Sequence, residues 1–292
     1  MAWLETLVNG VLLGGLYALF GLGLALVFGV MRVVNLAHGE LVVLSAYLGA
    51  SLAGGLAVHF PSVSPLWLIG PVAAVAFVLG YGLQALLLNR AVASGDPLTP
   101  VLVSFGVAVV LRNLMVELFG ADPRSIDAGA LATAGFELAG LRIGWYPVLV
   151  LALAVLCFVG LQGLLRHSHF GLVMRAAADN PRIARSFGVR PARVYAVVMG
   201  LSAVFAALAG LLLAMRSSFT PFSGVERLLG AFEVVIIGGL GSFWGALAGG
   251  IALGVAQLLG QRFDSNAGAL YAHLLFFVVL MLRPQGLAGR RS

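Results

Sequence analysis

Apolar residues run through this chain in long charge-free windows, at 6–31, 41–89, 97–111, 143–165, 194–215, 234–261 and 265–282, with charged positions confined to the stretches between them. A helix needs about 20 apolar residues to cross a bilayer core. Each window therefore predicts one span, and 41–89 predicts two, divided by His59-Phe60-Pro61-Ser62-Val63-Ser64-Pro65. The expected fold class is an all-α polytopic membrane protein, a bundle of about 8–9 transmembrane helices forming a single domain over residues 1–292. The stretch 228–260 is the exception to a simple span pattern. Its 33 residues would make about 50 Å of helix, too long for one pass and short for two. Gly238-Gly239-Leu240-Gly241-Ser242 interrupts it, so two shorter membrane segments are expected to join at that cluster. Backbone groups freed there are tolerable only against protein or a wet cavity, which is how carriers build sites for small polar solutes.

Composition agrees with the pattern. The chain is 61% hydrophobic and 10% charged, against roughly 25% charged residues in a soluble domain, and its mean hydropathy is +1.06. The first window is too long for a secretory leader core and carries Glu5 instead of a basic cluster, so it reads as a permanent helix. A lone Cys157 excludes an internal disulfide framework. All 17 positive residues are arginine, which leaves no lysine for a phosphate-binding Gly-x-x-x-x-Gly-Lys loop. His167 and His169 lack a third nearby ligand, which argues against a metal site. The charge lies in membrane-flanking loops and not on one soluble face, so nucleic acid is not an expected partner.

Charge also sets orientation. Residues 166–193 hold six arginines against Asp179, supplying +5 of the formal +6, and short basic loops stay on the cytoplasmic side. Residues 118–142 balance to −1 and adjoin an interfacial Trp145-Tyr146 pair, so that loop is expected outside. Counting spans from there puts the N terminus and the 59–65 turn outside, and the 89–97 loop and the Arg283–Arg291 tail inside.

Several polar groups stand within the apolar runs. Asn35, His38 and Glu40 lie where two spans join, Glu233 precedes the glycine break, and Arg112, Asn113 and Glu117 lie near the end of the 97–119 span. Such groups are costly in hydrocarbon unless paired or hydrated. Arg112 is expected to pair with Glu117 or Glu233, or to extend outward to water. His38 and Glu40 could instead cap a helix facing the cytoplasm. The residues taken as a candidate substrate pathway are Asn35, His38, Glu40, Glu233, Gly238, Gly239, Gly241 and Ser242. Small residues recur four apart, as at Gly10/Gly14, Gly21/Ala25/Gly29, Ala206/Gly210/Ala214 and Gly241/Gly245/Gly249, the spacing of tightly packed membrane helices. Met31-Arg32 and Met215-Arg216 each follow a small-residue helix and precede an acid, Glu40 or Glu233, which hints at a two-fold internal repeat.

The basic loop is patterned too. Asn180-Pro181 is a helix start and Gly188 a stop, so a short helix is expected over 181–187 after another over 170–178. Ile183, Ala184 and Phe187 would form an apolar knob beside Arg182 and Arg185.

Phe170-Gly171-Leu172-Val173-Met174-Arg175-Ala176-Ala177-Ala178-Asp179-Asn180-Pro181, continuing to Phe187-Gly188-Val189, resembles the cytoplasmic coupling loop of the branched-chain amino acid ABC transporter permeases of the LivH type. Val34-Asn35-Leu36-Ala37-His38-Gly39-Glu40 and the run from Ala231 through Ser242 resemble two further segments of that family. The resemblance implies that Arg175, Ala176, Ala177, Ala178, Asp179, Asn180, Pro181, Ile183, Ala184, Phe187 and Gly188 sit in a groove of a cytoplasmic ATPase subunit. It implies half of a transmembrane pathway in the inner (plasma) membrane, working by alternating access with a LivM-type permease subunit, two ATPases and an extracytoplasmic substrate-binding protein. The chain would hold no cofactor, ATP being bound by the partners. Branched-chain or other small neutral amino acids are the implied cargo, with urea, short amides or sugars as alternatives. A zwitterion could be met by a carboxylate at its ammonium and by helix N-terminal N–H groups at its own carboxylate. A different class, an ion-coupled secondary carrier, would also use intramembrane acids but has no use for a capped basic helix-turn-helix.

Overall fold

A computed structural model describes residues 2–59, 64–138 and 140–288. Residues 60–63 of the expected turn, and Arg290 and Arg291 of the tail, lie outside the described residues. The long helices are α1 (Ala2–Met31), α2 (His38–His59), α3 (Pro65–Ala93), α4 (Leu98–Phe119) and α5 (Trp145–His167). Two short helices, α6 (His169–Asp179) and α7 (Pro181–Ser186), follow. The chain continues as α8 (Pro191–Arg216), α9 (Gly224–Gly238), α10 (Phe243–Phe263) and α11 (Gly268–Leu282). Six of these are long and apolar enough to cross a membrane, and α11 is a shorter apolar helix. One turn of π-helix at Gln84–Leu88 interrupts α3. A small antiparallel hairpin, β1 (Gly135–Leu138) with β2 (Leu141–Gly144), pairs Gly135 with Gly144 and is the one two-stranded sheet among the described residues. Its alternation buries Leu141 and Ile143 against Leu12 of α1.

The two ends of the bundle are chemically distinct. At one end Arg166, Met174 and Arg175 line a cavity with Gly29 and Val30 of α1 and with Gly241 and Phe243 of the α9–α10 turn. The C-terminal segment lies there too, where Leu287 N–H donates to the Ile237 carbonyl and Ala288 N–H to that of Gly238, satisfying carbonyls that the end of α9 leaves free. At the other end lie the β hairpin and the pairing of Arg124 with Phe219, and Trp3 packs on Phe263. The expected eight or nine spans are reached only by adding to the six long apolar helices α2, α9 and α11, which pack among them.

Close backbone approach holds the bundle together. Gly10 and Gly14 of α1 face Gly254 and Ile251 of α10, where an added Cβ would strike backbone, and Gly200 and Gly80 allow the same approach between α8 and α3. In membranes this packing replaces the hydrophobic drive that water would supply. The core is α1 with α8: Leu19, Phe20, Leu22, Leu26, Leu211 and Leu212 are fully buried.

The hinted repeat takes definite form here. The units α1-α2-α3-α4 and α8-α9-α10-α11 correspond in order and run in opposite directions, each opening with a long central helix that ends at Met31 or Arg216. After each comes a non-helical segment, 32–37 or 217–220, and a helix that starts inside the bundle. α1 packs along α10 and α8 along α3, so each unit's first helix is clasped by the other's third. The acid matching Glu40, third in α2, is Glu226, third in α9, and not Glu233.

Candidate functional site

The first cluster is built where α2 begins. Arg32 leaves α1 with φ +53, a left-handed stop that no glycine provides here. The chain then re-enters the bundle: His38 Nε2 lies 2.9 Å from the carbonyl of Phe20, and Ser202 Oγ donates to that of Gly23 at 2.8 Å. A carbonyl only accepts, so Nε2 carries the proton and Nδ1 faces the packed interior without a partner among the described residues. This is about 12–16 Å above the end of α1, at about 1.5 Å per residue. Asn35 makes the turn, its side-chain oxygen accepting from Ala37 N–H at 3.0 Å and its amide reaching Met199 Sδ at 3.4 Å. Leu36 N–H is taken by Ser104 Oγ at 3.1 Å.

Glu40, in the first turn of α2, pairs with Arg112 of α4, whose Nε donates to Oε1 at 3.1 Å while an Nη makes the ion pair. Arg112 thus pairs with neither Glu117 nor Glu233 and does not extend to water alone, a correction to the expectation from sequence. Glu40 Oε2 lies against Gly224, the first residue of α9, and Gly39 lies against the Gly224 carbonyl so closely that neither glycine has room for a Cβ. The N-termini of the two partial helices thus meet, and the Glu40 carboxylate sits at the positive end of α9. Asn35, His38 and Glu40 are therefore brought together, each no more than 2% exposed. They are packed into the interior and do not face solvent at a helix cap.

Glu233 is a separate matter. It pairs with His273 of α11, and both line a second cavity with Tyr17, Glu226, Arg227 and Gln257. Sequence reading missed His273, Glu226, Arg227 and Gln257 as a group. The available signal was the spacing of Glu226, Gly230 and Glu233, which stack on one helical face. The glycine break falls elsewhere. Gly238 packs on Gly245 and Ala246, Gly239 and Gly241 turn with φ +98 and +83, and Ser242 caps α10 by accepting from Gly245 N–H at 3.1 Å. This turn lies beside Arg166 and Arg175, at the arginine-loop end, away from Asn35 and Glu233.

The arginine loop is ordered by its own caps. Ser168 accepts from Gly171 N–H at 3.0 Å to start α6, and Asn180 accepts from Arg182 and Ile183 N–H at 3.0 and 3.1 Å to start α7. Gly188, at φ +81, turns the chain out of α7 in a conformation that other residues rarely adopt. Arg175 does not point to solvent alone, because its guanidinium donates to the Leu165 carbonyl at the end of α5. Ala177 and Ala184 are buried against the body of the protein; Ala176, Asp179, Arg182 and Arg185 are exposed, and Ala178 and Pro181 intermediate. The apolar knob is therefore Ile183 and Phe187, the latter 83% exposed, without Ala184.

Residues 6–283 match the family model described as branched-chain amino acid transport system, permease component. The chain is 28% identical over 296 residues to a high-affinity branched-chain amino acid transport system permease protein, BraD, of Pseudomonas aeruginosa, covering 99% of this chain and 96% of the relative. It is 27% identical over 297 residues to the LivH permease protein of Escherichia coli, with coverage of 99% and 96%. The LivM permease protein of Salmonella typhimurium is also similar, 28% identical over 298 residues, which cover 93% of this chain and 67% of the relative. No solved structure matched.

Proposed function

The chain belongs to the branched-chain amino acid transport system permease family, and from that premise we propose how it works: as the LivH-like half of an importer, joined in the inner membrane to a LivM-like half, two cytoplasmic ATPases and an extracytoplasmic binding protein. It is a multi-pass membrane protein whose task is transport, with branched-chain amino acids as the cargo. ATP is bound by the partners and moves α7, while the chain itself breaks no bond.

The observation that carries this reading is the loop. A capped two-helix unit with an exposed Phe187 and Ile183 inside a rim of Arg182 and Arg185 is a shape for insertion into a protein groove. Nothing in an ion-coupled carrier needs it. Force on α7 has a short path inward: α6 is fastened to α5 through Arg175 and Leu165, and Met174 and Arg175 share a cavity of about 260 Å³ with the α9–α10 turn. Moving that turn moves α9, whose far end meets Gly39 and Glu40. Asn35, His38 and Glu40 are read as the fixed point of this lever, beside the pathway. The test is co-purification of the tagged complex. Ile183→Ala with Phe187→Ala should leave the chain folded and inserted but free of ATPase subunits, and leucine uptake should fall to background. Retention of the ATPases, or ion-driven uptake by this chain alone, refutes the reading.

A further inference from the structure

The cavity between α1, α9, α10 and α11 has a volume of about 260 Å³. That is just below the roughly 300–1,000 Å³ of sites for drug-sized ligands, so it suits a smaller solute. Glu226, Arg227, Glu233, Gln257 and His273 supply its polar lining, and Phe20 and Leu253 part of its apolar wall. Its charged groups are already engaged with each other, and with unequal strength. Glu233 is held by His273, whereas Arg227 reaches Glu226 only at 3.3 Å, and Glu226 is 70% exposed at the side chain. Such an exposed pair is weak and open to replacement. The buried Nε of Arg227 has no partner among the described residues.

The depth of these groups matters. Glu226 is two residues beyond Gly224, where α2 and α9 meet, and the cavity reaches Tyr17 and Phe20 midway along α1. Elsewhere the exposed residues include Leu102, Phe105 and Val110 of α4 and Leu274 and Phe277 of α11, which suit lipid. Charged groups at membrane depth face a wet cavity or another subunit, not hydrocarbon. The exposed Glu226 thus marks the side of the cavity that faces water or another subunit.

We propose that this cavity is the permease's own binding site for a zwitterionic aliphatic amino acid. Arg227 receives the carboxylate, Glu226 and Glu233 the ammonium, and Phe20 with Leu253 the side chain. The proposal rests on the importer reading and adds the place in the membrane where cargo pauses. Uncharged cargo such as urea or a sugar could not replace Glu226 at Arg227 with a carboxylate of its own.

Because Cys157 is the only cysteine, a Cys157→Ala background makes site-directed labelling clean. In the complete complex, Ala269→Cys, on the cavity wall, should react with a charged, membrane-impermeant thiol reagent, and millimolar L-leucine should slow that reaction. Phe277→Cys on the outward apolar face should stay unlabelled. No reaction at position 269, no slowing by leucine, or equal slowing by urea or ribose overturns the proposal. Arg227→Gln should weaken protection by leucine roughly 10- to 100-fold while leaving protection by leucine amide, which has no carboxylate, unchanged. Equal loss for both ligands would mean that Arg227 only shapes the fold, and would overturn its assigned role. Failure of the wild-type complex to import any branched-chain amino acid would sink the importer reading and this proposal together. Import by wild type with an unprotected position 269 would sink the cavity alone.

Discussion

Arg112 and Glu40 show how one ion pair at membrane depth is decided. Glu40 is 2% exposed at the side chain and Arg112 28%, so the acid is committed to the interior while the guanidinium keeps some access to its surroundings. Breaking a buried pair costs about 3–5 kcal/mol because the surviving charge is stranded. Partial exposure of Arg112 lowers that figure, and Arg112→Leu should destabilise the folded chain by roughly 2–4 kcal/mol. Adding Glu40→Gln should recover a good part of the loss, since no uncompensated charge then remains. Thermal unfolding in detergent of both single variants and the double variant gives the coupling directly. Additive losses would mean that the two side chains do not act as a pair.

At the scale of elements, the meeting of α2 and α9 is the feature on which most geometry depends. Gly39 and Gly224 permit it by having no Cβ, and Gly39→Ala should cost about 1–3 kcal/mol through overpacking of rigid backbone. Gly54, on the same helix, has open space around it. Gly54→Ala should therefore be neutral or stabilising by up to about 1 kcal/mol from helix propensity. Measured together as melting temperatures, the two separate packing from propensity, and equal effects would refute the close contact. This junction was poorly legible in the sequence, whereas α7 was read almost to the residue. The difference is physical. Asn180, Pro181 and Gly188 act on their own backbone, so local spacing reveals them. The entry into α2 is fixed by Met199 and Ser104, which are far away in sequence. No periodicity encodes a partner at that distance. For the same reason Arg112 could be recognised as needing a partner while the partner stayed unidentified, and the turn after Gly238 could be located without knowing at which end of the bundle it lies.

For the molecule as a whole, the inverted pairing of α1-α2-α3-α4 with α8-α9-α10-α11 gives two units that clasp each other, the arrangement from which carriers build a site near the membrane midplane by rocking one unit against the other. Each unit ties its second helix to its fourth, through the Glu40–Arg112 ion pair in one and the Glu233–His273 hydrogen bond in the other. Contacts put the described C-terminal segment at the same end as the arginine loop, beside the α9–α10 turn, and the Arg124–Phe219 pairing at the other. Net positive charge on one short loop then sets the absolute direction. With Cys157 replaced, single cysteines at Ser186 and Ala288, both exposed, should react with an impermeant reagent only after the cell membrane is opened, while one at Asp127 should react in intact cells. Labelling of Ala288→Cys from outside would break that shared end and with it the correspondence of the two units. Labelling of Ser186→Cys from outside would leave the fold standing but remove the loop from reach of any cytoplasmic ATPase, so the two results test the architecture and its coupling separately.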